Sequence, residues 1–225
     1  MYQILFTTIV QGAASETWDN QIQHHPSVKS KFKRCLDVVG SIVGLVILSL
    51  VFIPIAIAIK FDSPGPVFFV QERYGLHGKT FKIRKFRSMV VEAPQLKNLV
   101  ENEANGLFFK NKNDFRVTKF GRFLRSTSLD ELPQFWNVLM GDMSLVGTRP
   151  PTADEVMNYS QHHWQRLNVK PGLTGEWQVN GRSHVKDFEA VVDLDLHYQK
   201  KWYPMYDVLI IVKTIYVILA KVGAF

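Results

Sequence analysis

The stretch VVGSIVGLVILSLVFIPIAIAI, residues 38–59, divides the first 37 residues of the chain from a longer basic remainder. Its 22 residues carry no charge, and about 18 consecutive apolar residues are enough to indicate a membrane helix. We therefore predict a membrane-embedded helix over residues 31–60.

Basic residues flank this segment on both sides. They are Lys29, Lys31, Lys33 and Arg34 before it, and Lys60, Arg73, Lys79, Lys82, Arg84, Lys85 and Arg87 after it. Lys and Arg concentrate in the cytoplasmic flanks of membrane helices, so a simple crossing satisfies only one of the two flanks. A segment that enters the cytoplasmic leaflet, bends and returns satisfies both.

Two residues could form such a bend. Pro54 removes one helical hydrogen bond and crowds the preceding turn, and the hydroxyl of Ser49 could bond a carbonyl freed nearby. Proline kinks also occur in helices that cross the bilayer. On the residues alone, the re-entrant and the spanning topology both stay open.

The composition favours phosphate-bearing partners. The 225 residues include 27 Lys and Arg against 20 Asp and Glu, a formal charge of +7, which suits nucleic acid, an anionic membrane or phosphorylated small molecules. No RRM, KH or zinc-finger signature accompanies that charge, and neither GxGxxG nor GxxxxGK[ST] is present. The single cysteine excludes an intrachain disulfide framework.

The chain outside the membrane segment predicts an α+β domain. We assign residues 1–30 to a flexible N-terminal extension and residues 61–225 to a cytosolic domain. Alternating apolar and basic residues at 81–86 predict a half-buried β-ribbon, and residues 154–167 predict an amphipathic helix. From Asp207, the apolar stretch carrying Lys213 and Lys221 predicts a helix that lies in the membrane interface.

The segment RSTSLDELPQ, residues 125–134, contains two adjacent carboxylates. Ser128 and Glu131 match the S-x-x-E capping box, which predicts that Ser128 caps a helix and Glu131 reaches back to it. Pro133 disturbs that register, because its missing N–H would fall inside the helix; with Asp130 as the cap it fits the first turn.

Chemistry is the alternative role for Asp130 and Glu131. Several arginines surround the pair in the sequence, and guanidinium groups bind phosphate in a bidentate manner: Arg116, Arg122, Arg125, Arg149 and Arg182. A carboxylate at a helix start stays ionised, as a nucleophile or Mg²⁺ ligand must. Next to a membrane anchor, these groups indicate a lipid phosphate as substrate. Capping and catalysis do not exclude each other.

Long motifs in a fixed order carry a family resemblance. They are KRCLD, DSPGPVFFVQERYG, GKTFKIRKFRSM, RSTSLDELPQFWNVLMGDMSLVG, VKPGLTGEWQVNGRS and DLDLHYQKKWYPMYDVLIIVKTIYVIL. From about Lys31 to its end, the chain resembles the bacterial sugar transferases, the monotopic phosphoglycosyl transferases that start glycan assembly on a polyprenyl phosphate. Ser49-Leu50 and Gly147-Thr148-Arg149-Pro150 differ from the usual Ser-Pro and Gly-Pro-Arg-Pro.

The resemblance implies a re-entrant membrane helix at the cytosolic face of the inner membrane. It implies transfer of a sugar-1-phosphate from a UDP-sugar to undecaprenyl phosphate, with release of UMP and a requirement for Mg²⁺, in exopolysaccharide, O-antigen or related glycoconjugate synthesis. Asp130 matches the nucleophile, and Glu131 the second carboxylate, with both near the metal. Arg125, Arg149 and Arg182 match phosphate-binding arginines.

Two other functions compete with the enzyme. A non-catalytic membrane adaptor would use the basic ribbon to bind anionic lipid and Asp130–Glu131 only as a cap. A membrane protein that binds nucleic acid rests on charge alone, and we expect no nucleic-acid partner. The partners we expect are a UDP-sugar, undecaprenyl phosphate and membrane lipids; the sequence indicates neither which sugar is used nor whether the chain forms an oligomer.

Overall fold

The computed structural model describes residues 24–181 and 185–220 and has an α+β fold. The α-helices are α1 (Pro26–Lys29), α2 (Lys31–Asp62), α3 (Lys119–Ser126), α4 (Phe135–Met140), α5 (Ala153–Val156), α6 (Gln161–Trp164), α7 (Glu176–Val179), α8 (Phe188–Lys201) and α9 (Pro204–Leu219). The strands are β1 (Phe68–Tyr74), β2 (Thr80–Phe86), β3 (Ser144–Val146) and β4 (Gly172–Thr174), and 3-10 helices lie at Leu76–Gly78, Lys97–Leu99, Leu129–Gln134 and Gln165–Asn168.

The apolar segment forms α2, a helix of 32 residues that is about 48 Å long at 1.5 Å per residue. It is long and apolar enough to cross a membrane. The helix continues through Ser49 and Pro54 without interruption. The re-entrant topology stays a prediction.

The hydroxyl of Ser49 does not bond the carbonyl that Pro54 frees. A proline leaves the carbonyl four residues earlier without its helical partner, which here is that of Leu50. Ser49 Oγ instead donates to the carbonyl oxygen of Val46 at 2.7 Å. The carbonyl of Val46 lies one helical turn before the freed carbonyl of Leu50. The predicted hydrogen bond from Ser49 to a carbonyl freed at the bend is therefore wrong.

One face of α2 packs against the domain along the helix. Its buried residues are Lys33, Asp37, Ser41, Gly44, Ile55 and Ile59. Near the start, Asp37 Oδ1 accepts hydrogen bonds from Ser144 Oγ and from the backbone N of Leu145, each at 2.8 Å. Near the end, Ile55 and Ile59 join a core with Phe86 of β2 and Leu124 of α3.

The opposite face of α2 is an exposed apolar stripe. Its members include Val39, Ile42, Val43, Val46, Ile47, Leu50, Ile53, Ile57 and Phe61. An exposed apolar surface of this extent indicates contact with a membrane or with another protein.

Gly44 brings α2 against α4. A Cβ atom at this position would lie 2.3 Å from Cγ of Phe135, which is far inside van der Waals contact. The absence of a side chain at Gly44 therefore lets the Phe135 ring lie directly on the helix, and the 3-10 helix Leu129–Gln134 that precedes Phe135 is held near the membrane segment.

The predicted ribbon is confirmed. Strands β1 and β2 are antiparallel, with Phe69 opposite Lys85 and Arg73 opposite Phe81. Ile83 and Phe86 are buried, whereas Lys82 and Arg84 are exposed. Because successive strand residues face opposite sides, Lys85 shares the side of Ile83, and Arg84 shares the side of Lys82.

The short parallel pair β3–β4 was not predicted. It lies in a core with Ile83 of β2, Val138 of α4, Tyr198 of α8 and Ile210 of α9. This core joins the ribbon to the C-terminal helices.

The continuous helix predicted over residues 154–167 is wrong. The region breaks into α5, α6 and a 3-10 helix. Thr152 with Glu155, and Ser160 with His163, each form a capping box that starts a separate short helix. Two start signals eight residues apart leave no room for a long helix.

The two ends of the chain are only partly described. Residues 24–30 belong to the predicted extension, yet α1 lies there and His25 Nε2 is 2.9 Å from the carbonyl oxygen of Gln199. This part is packed on α8, and residues 1–23 lie outside the described residues.

The predicted C-terminal helix is α9. In it, the side chain of Lys213 donates a hydrogen bond to the side chain of Asn180. Lys221 lies outside the described residues.

Candidate active site

The carboxylate pair lies in the 3-10 helix Leu129–Gln134, here called the acidic turn, between α3 and α4. Ser128 precedes it in the left-handed backbone conformation, with φ 57°. Non-glycine residues rarely adopt this conformation, which costs on the order of 1 kcal/mol; strained residues of this kind cluster at functional sites. The reversal at Ser128 turns the chain from α3 into the acidic turn.

The predicted capping box is wrong. A capping residue needs an extended backbone to aim its side chain at the helix start, and Ser128 is left-handed. Its side chain makes no capping hydrogen bond. Neither is Asp130 the cap, because it lies inside the 3-10 helix, in the first turn.

Glu131 is held by the ribbon rather than by a cap. Its Oε1 lies 2.9 Å from Nζ of Lys85 on β2, and both side chains are about a quarter exposed. Lys85 was predicted as part of a charged ribbon surface, not as a site residue. Strand alternation places Lys85 on the Ile83 side of β2, opposite to Arg84. This signal in the sequence could have distinguished Lys85 from the exposed basic residues of the ribbon.

Asp130 is buried, with 7% of its surface exposed, and its charge acts on Arg125. Burial lowers the pKa of the Arg125 guanidinium, and the negative charges of Asp130 and Asp114 oppose that shift. Arg125 Nε also donates to Ser88 Oγ at 2.9 Å. A partly desolvated cation, held by Ser88, therefore lies within the electrostatic influence of the Asp130 carboxylate. The predicted phosphate-binding role of Arg125 stays a prediction.

Arg149 lies in a different cluster. Its Nη1 donates to both carboxylate oxygens of Glu155, at 3.0 and 3.1 Å. Its charge, added to burial, lowers the pKa of Arg73 to about 10, and Arg73 Nη1 donates to the carbonyl oxygen of Pro150 at 3.0 Å.

The two clusters lie at opposite ends of the ribbon. Arg73 is four residues along β1 from Phe69, the partner of Lys85, which corresponds to about 14 Å at 3.4 Å per residue. The predicted phosphate-binding set is thus split between the Asp130 and Arg149 clusters, and Arg182 lies outside the described residues.

The other arginines predicted near the pair have different roles. Arg116 is buried in an ion pair with Asp114 at 2.7 Å, and Arg122 is exposed on α3.

Gln134 is a candidate site residue that the sequence did not indicate. It closes the acidic turn, only 3% of it is exposed, and Nε2 has no hydrogen-bond partner among the residues that the structure describes. A buried donor left unpaired is costly. In a 3-10 helix, side chains three residues apart align, so Gln134 shares the face of Glu131 and its Nε2 is a candidate donor to a substrate oxygen.

The donor set can be compared with the needs of Mg²⁺. This ion takes oxygen ligands, keeps several waters and commonly uses one or two carboxylates together with substrate phosphates. The described part of the chain holds no group of three or more His, Cys, Asp or Glu side chains suited to a metal, so it offers no all-protein cage. Asp130 and Glu131 fit an ion held mainly by a substrate.

Comparison with known proteins places these observations in a family. The family model described as bacterial sugar transferase matches residues 28–221. Galactosyl transferase CpsE of Streptococcus agalactiae is 50% identical over 194 residues, which cover 85% of this chain and 43% of that protein.

Two further relatives differ in length. Undecaprenyl-phosphate galactose phosphotransferase of Salmonella typhimurium is 43% identical over 91% of this chain and 44% of its own. Exopolysaccharide production protein ExoY of Sinorhizobium fredii is 37% identical over 86% of this chain and 88% of its own. The chain spans less than half the length of the first two relatives. By the extent of the family match and of these identities, it belongs to the bacterial sugar transferase family.

Proposed function

We propose that this protein transfers a sugar-1-phosphate from a UDP-sugar to undecaprenyl phosphate and releases UMP, at the start of exopolysaccharide or related glycan synthesis. One observation carries the proposal: the buried Asp130 carboxylate and the Lys85–Glu131 ion pair share a turn that Gly44 and Phe135 hold against the membrane segment. The named activity of relatives such as the undecaprenyl-phosphate galactose phosphotransferase agrees with this site.

In the first step, a carboxylate oxygen of Asp130 attacks the β-phosphorus of the UDP-sugar. The bond from that phosphorus to the bridging oxygen breaks, and the oxygen leaves with UMP. The sugar phosphate is then joined to Asp130 as an acyl phosphate. Such a covalent intermediate divides one difficult displacement into two easier ones.

In the second step, a phosphate oxygen of undecaprenyl phosphate attacks the same phosphorus. The bond between phosphorus and Asp130 breaks, the carboxylate is regenerated, and a lipid-linked diphosphate sugar is the product. Because one phosphorus is attacked twice, donor and acceptor use the same carboxylate in turn, which predicts ping-pong kinetics.

Cationic groups next to the acidic turn stabilise the negative charge that gathers on the transferring phosphoryl group. The charge of Asp130 acts on Arg125, and Lys85 holds Glu131 in place. The N–H groups of Gln134 supply neutral donors. At the other end of the ribbon, Arg149 would bind the more distant part of an extended nucleotide-sugar. Arg182, which lies outside the described residues, keeps its proposed role as a phosphate-binding arginine.

Mg²⁺ completes the proposed site. Asp130 and Glu131 would hold it together with the donor's diphosphate. When bound, the ion would neutralise charge on the diphosphate and on the departing UMP.

The packing of α2 supports the proposed membrane placement. Its start contacts Ser144 and its end contacts Phe86, and these residues share a continuous domain through β2 and the core around Val138. Both ends of α2 therefore contact the same domain. This packing favours a re-entrant or interfacial path at the cytosolic face of the inner membrane over a straight crossing.

UMP release tests the activity. Purified protein with a panel of UDP-sugars, undecaprenyl phosphate and Mg²⁺ should release UMP with at least one sugar. Asp130→Asn should abolish turnover without changing the thermal unfolding temperature by more than a few degrees. No UMP from any sugar, or full turnover by Asp130→Asn, would contradict the proposal.

Cysteine labelling tests the topology. Cys35 is exposed, so it is first replaced by serine, and single cysteines are then placed within residues 61–80. Labelling only from the cytoplasmic side is expected. Labelling of these positions from the periplasm would rule out the re-entrant path.

A further inference from the structure

We propose that a groove between α2, the ribbon and the start of α4 binds the phosphate end of the prenyl acceptor, with Arg84 contacting the phosphate. This acceptor groove is lined by Leu45, Leu48, Phe68, Arg84, Pro133 and Trp136. The inference rests on the proposed function and deepens it, because it assigns the acceptor a place of its own next to the catalytic carboxylate.

The size and lining of the acceptor groove suit an isoprenoid chain. Its volume is about 370 Å³; at roughly 30 Å³ per non-hydrogen atom, the share of a water molecule in the liquid, this is enough for about twelve atoms, or two isoprene units. Five of the six lining side chains are apolar. The rest of a long prenyl chain would lie outside, in the membrane.

Arg84 is the single charged residue in that lining. Its side chain is exposed, and within residues 24–181 and 185–220 it makes no hydrogen bond or ion pair. Its backbone N donates to Asn137 Oδ1 of α4 at 3.3 Å, which fixes this point of β2 over α4. The guanidinium is thus held at an apolar groove without a carboxylate partner, an arrangement complementary to a lipid phosphate.

The acceptor groove adjoins the proposed nucleophile. Pro133 lines the groove and lies three residues after Asp130 in the acidic turn. Side chains at this spacing in a 3-10 helix align, at about 2 Å of rise per residue, so Asp130 and Pro133 share one face about 6 Å apart along the axis. A phosphate at the Pro133 end can therefore reach the phosphorus bound to Asp130.

The position of the groove also favours a lipid over a soluble ligand. Leu45 and Leu48 belong to α2, whose neighbouring residues Val46 and Ile47 form part of its exposed apolar stripe. Trp136 is 44% exposed, in keeping with the enrichment of tryptophan at membrane interfaces. A prenyl chain would enter sideways from the membrane and meet Arg84 with its phosphate.

Steady-state kinetics of the full chain in nanodiscs test the proposal. Arg84→Gln should raise the KM for undecaprenyl phosphate by about tenfold or more, as expected for loss of a charge-assisted hydrogen bond. The single-turnover release of UMP from the donor alone should persist. Lys82→Gln is the matched control, since Lys82 is exposed on the same side of β2, and it should keep the wild-type KM.

Unchanged acceptor KM in both Arg84→Gln and Trp136→Ala would overturn the proposal. Loss of the donor-only UMP release in Arg84→Gln, to the same extent as overall turnover, would also overturn it, because Arg84 would then serve the donor.

A second measurement works without turnover. A prenyl phosphate with a photoreactive diazirine in its first isoprene unit is cross-linked to the wild-type protein, and the labelled peptides are identified by mass spectrometry. Label at Leu45–Leu48 or Trp136, displaced by undecaprenyl phosphate but not by phosphatidylglycerol, supports the acceptor groove even if UMP release fails and the proposed function falls. Label elsewhere, or equal displacement by phosphatidylglycerol, overturns it.

Discussion

Nζ of Lys85 lies 2.9 Å from Oε1 of Glu131, so the ribbon and the acidic turn meet at an ion pair one residue from Asp130. Lys85 is on β2 and Glu131 is 46 positions later in the chain. The pair fixes the second carboxylate of the proposed site and brings a cation of the ribbon to the acidic turn.

Replacing Lys85 tests the catalytic value of this ion pair. Lys85→Met should lower kcat by about 10²-fold, because removing one preorganised electrostatic group commonly has an effect of that size. Lys85→Arg should recover part of the loss. Lys79→Met, on an exposed residue next to the ribbon turn, is the control and should leave UMP release unchanged. Wild-type turnover in Lys85→Met would show that the pair is only structural.

A second ion pair ties the start of α2 to α9. Lys33 Nζ lies 2.7 Å from Asp207 Oδ2, with 7% and 1% of the two side chains exposed, and Tyr198 OH donates to Asp207 Oδ1 at 2.7 Å. Removing one partner leaves a buried charge unpaired. Lys33→Met should therefore reduce the free energy of unfolding by about 3–5 kcal/mol.

Chemical denaturation in detergent measures this change. Lys97→Met breaks the exposed Lys97–Asp154 pair, with side chains 46% and 71% exposed, and should change stability by less than about 1 kcal/mol. If the two variants were equally stable, the Lys33–Asp207 contact would not hold α2 on the domain.

The contact between Gly44 and Phe135 should be sensitive to any side chain at Gly44. In Gly44→Val the new Cβ would overlap the Phe135 ring, and overpacking of this kind typically costs about 1–3 kcal/mol. Turnover should also fall, because Phe135 directly follows the acidic turn. Phe135→Ala in the Gly44→Val background should restore part of the stability. Val43→Leu, at an exposed position on α2, should change neither quantity.

Tyr159 makes stability depend on alkaline pH. Burial raises its pKa to about 12, although the charge of Arg166 opposes the shift. Because the folded pKa lies above the unfolded value of about 10, the contribution of Tyr159 is fully present below pH 10 and is lost as the pH rises to about 12. At 1.36 kcal/mol per pKa unit, the loss is about 2–3 kcal/mol.

Tyr159→Phe should flatten this alkaline decline. At neutral pH the variant should be less stable than wild type, since Arg166 Nη1 loses the hydroxyl oxygen to which it donates. Between pH 10 and 12 its unfolding temperature should fall by less than that of the wild type. Parallel declines of the two proteins would assign the alkaline loss to other groups.

Local patterns predicted the elements that depend on near neighbours. The uncharged run at residues 38–59 became part of α2, and the alternation of apolar and basic residues at 81–86 became strand β2. Each of these patterns repeats over several residues and leaves little choice of structure. The α+β fold could be predicted for this reason.

The failures concern contacts between distant parts of the chain. Ser128 matched a capping box, but the reversal between α3 and the acidic turn forces it into the left-handed conformation. Glu131 found its partner in Lys85 on β2, and Arg149 found one in Glu155, away from Asp130. A single sequence shows which charges are present, whereas the fold decides which of them meet.

The covalent intermediate is the central claim, and intact-protein mass spectrometry tests it most directly. The protein is incubated with Mg²⁺ and its UDP-sugar, without undecaprenyl phosphate, and then measured before and after the lipid is added. A mass increase of one sugar phosphate should appear, map to Asp130 by peptide analysis, vanish when undecaprenyl phosphate is added, and be absent in Asp130→Asn. An adduct of the same mass on Asp130→Asn, or multiple turnovers through a wild-type enzyme that never carries the adduct, would contradict a mechanism through Asp130.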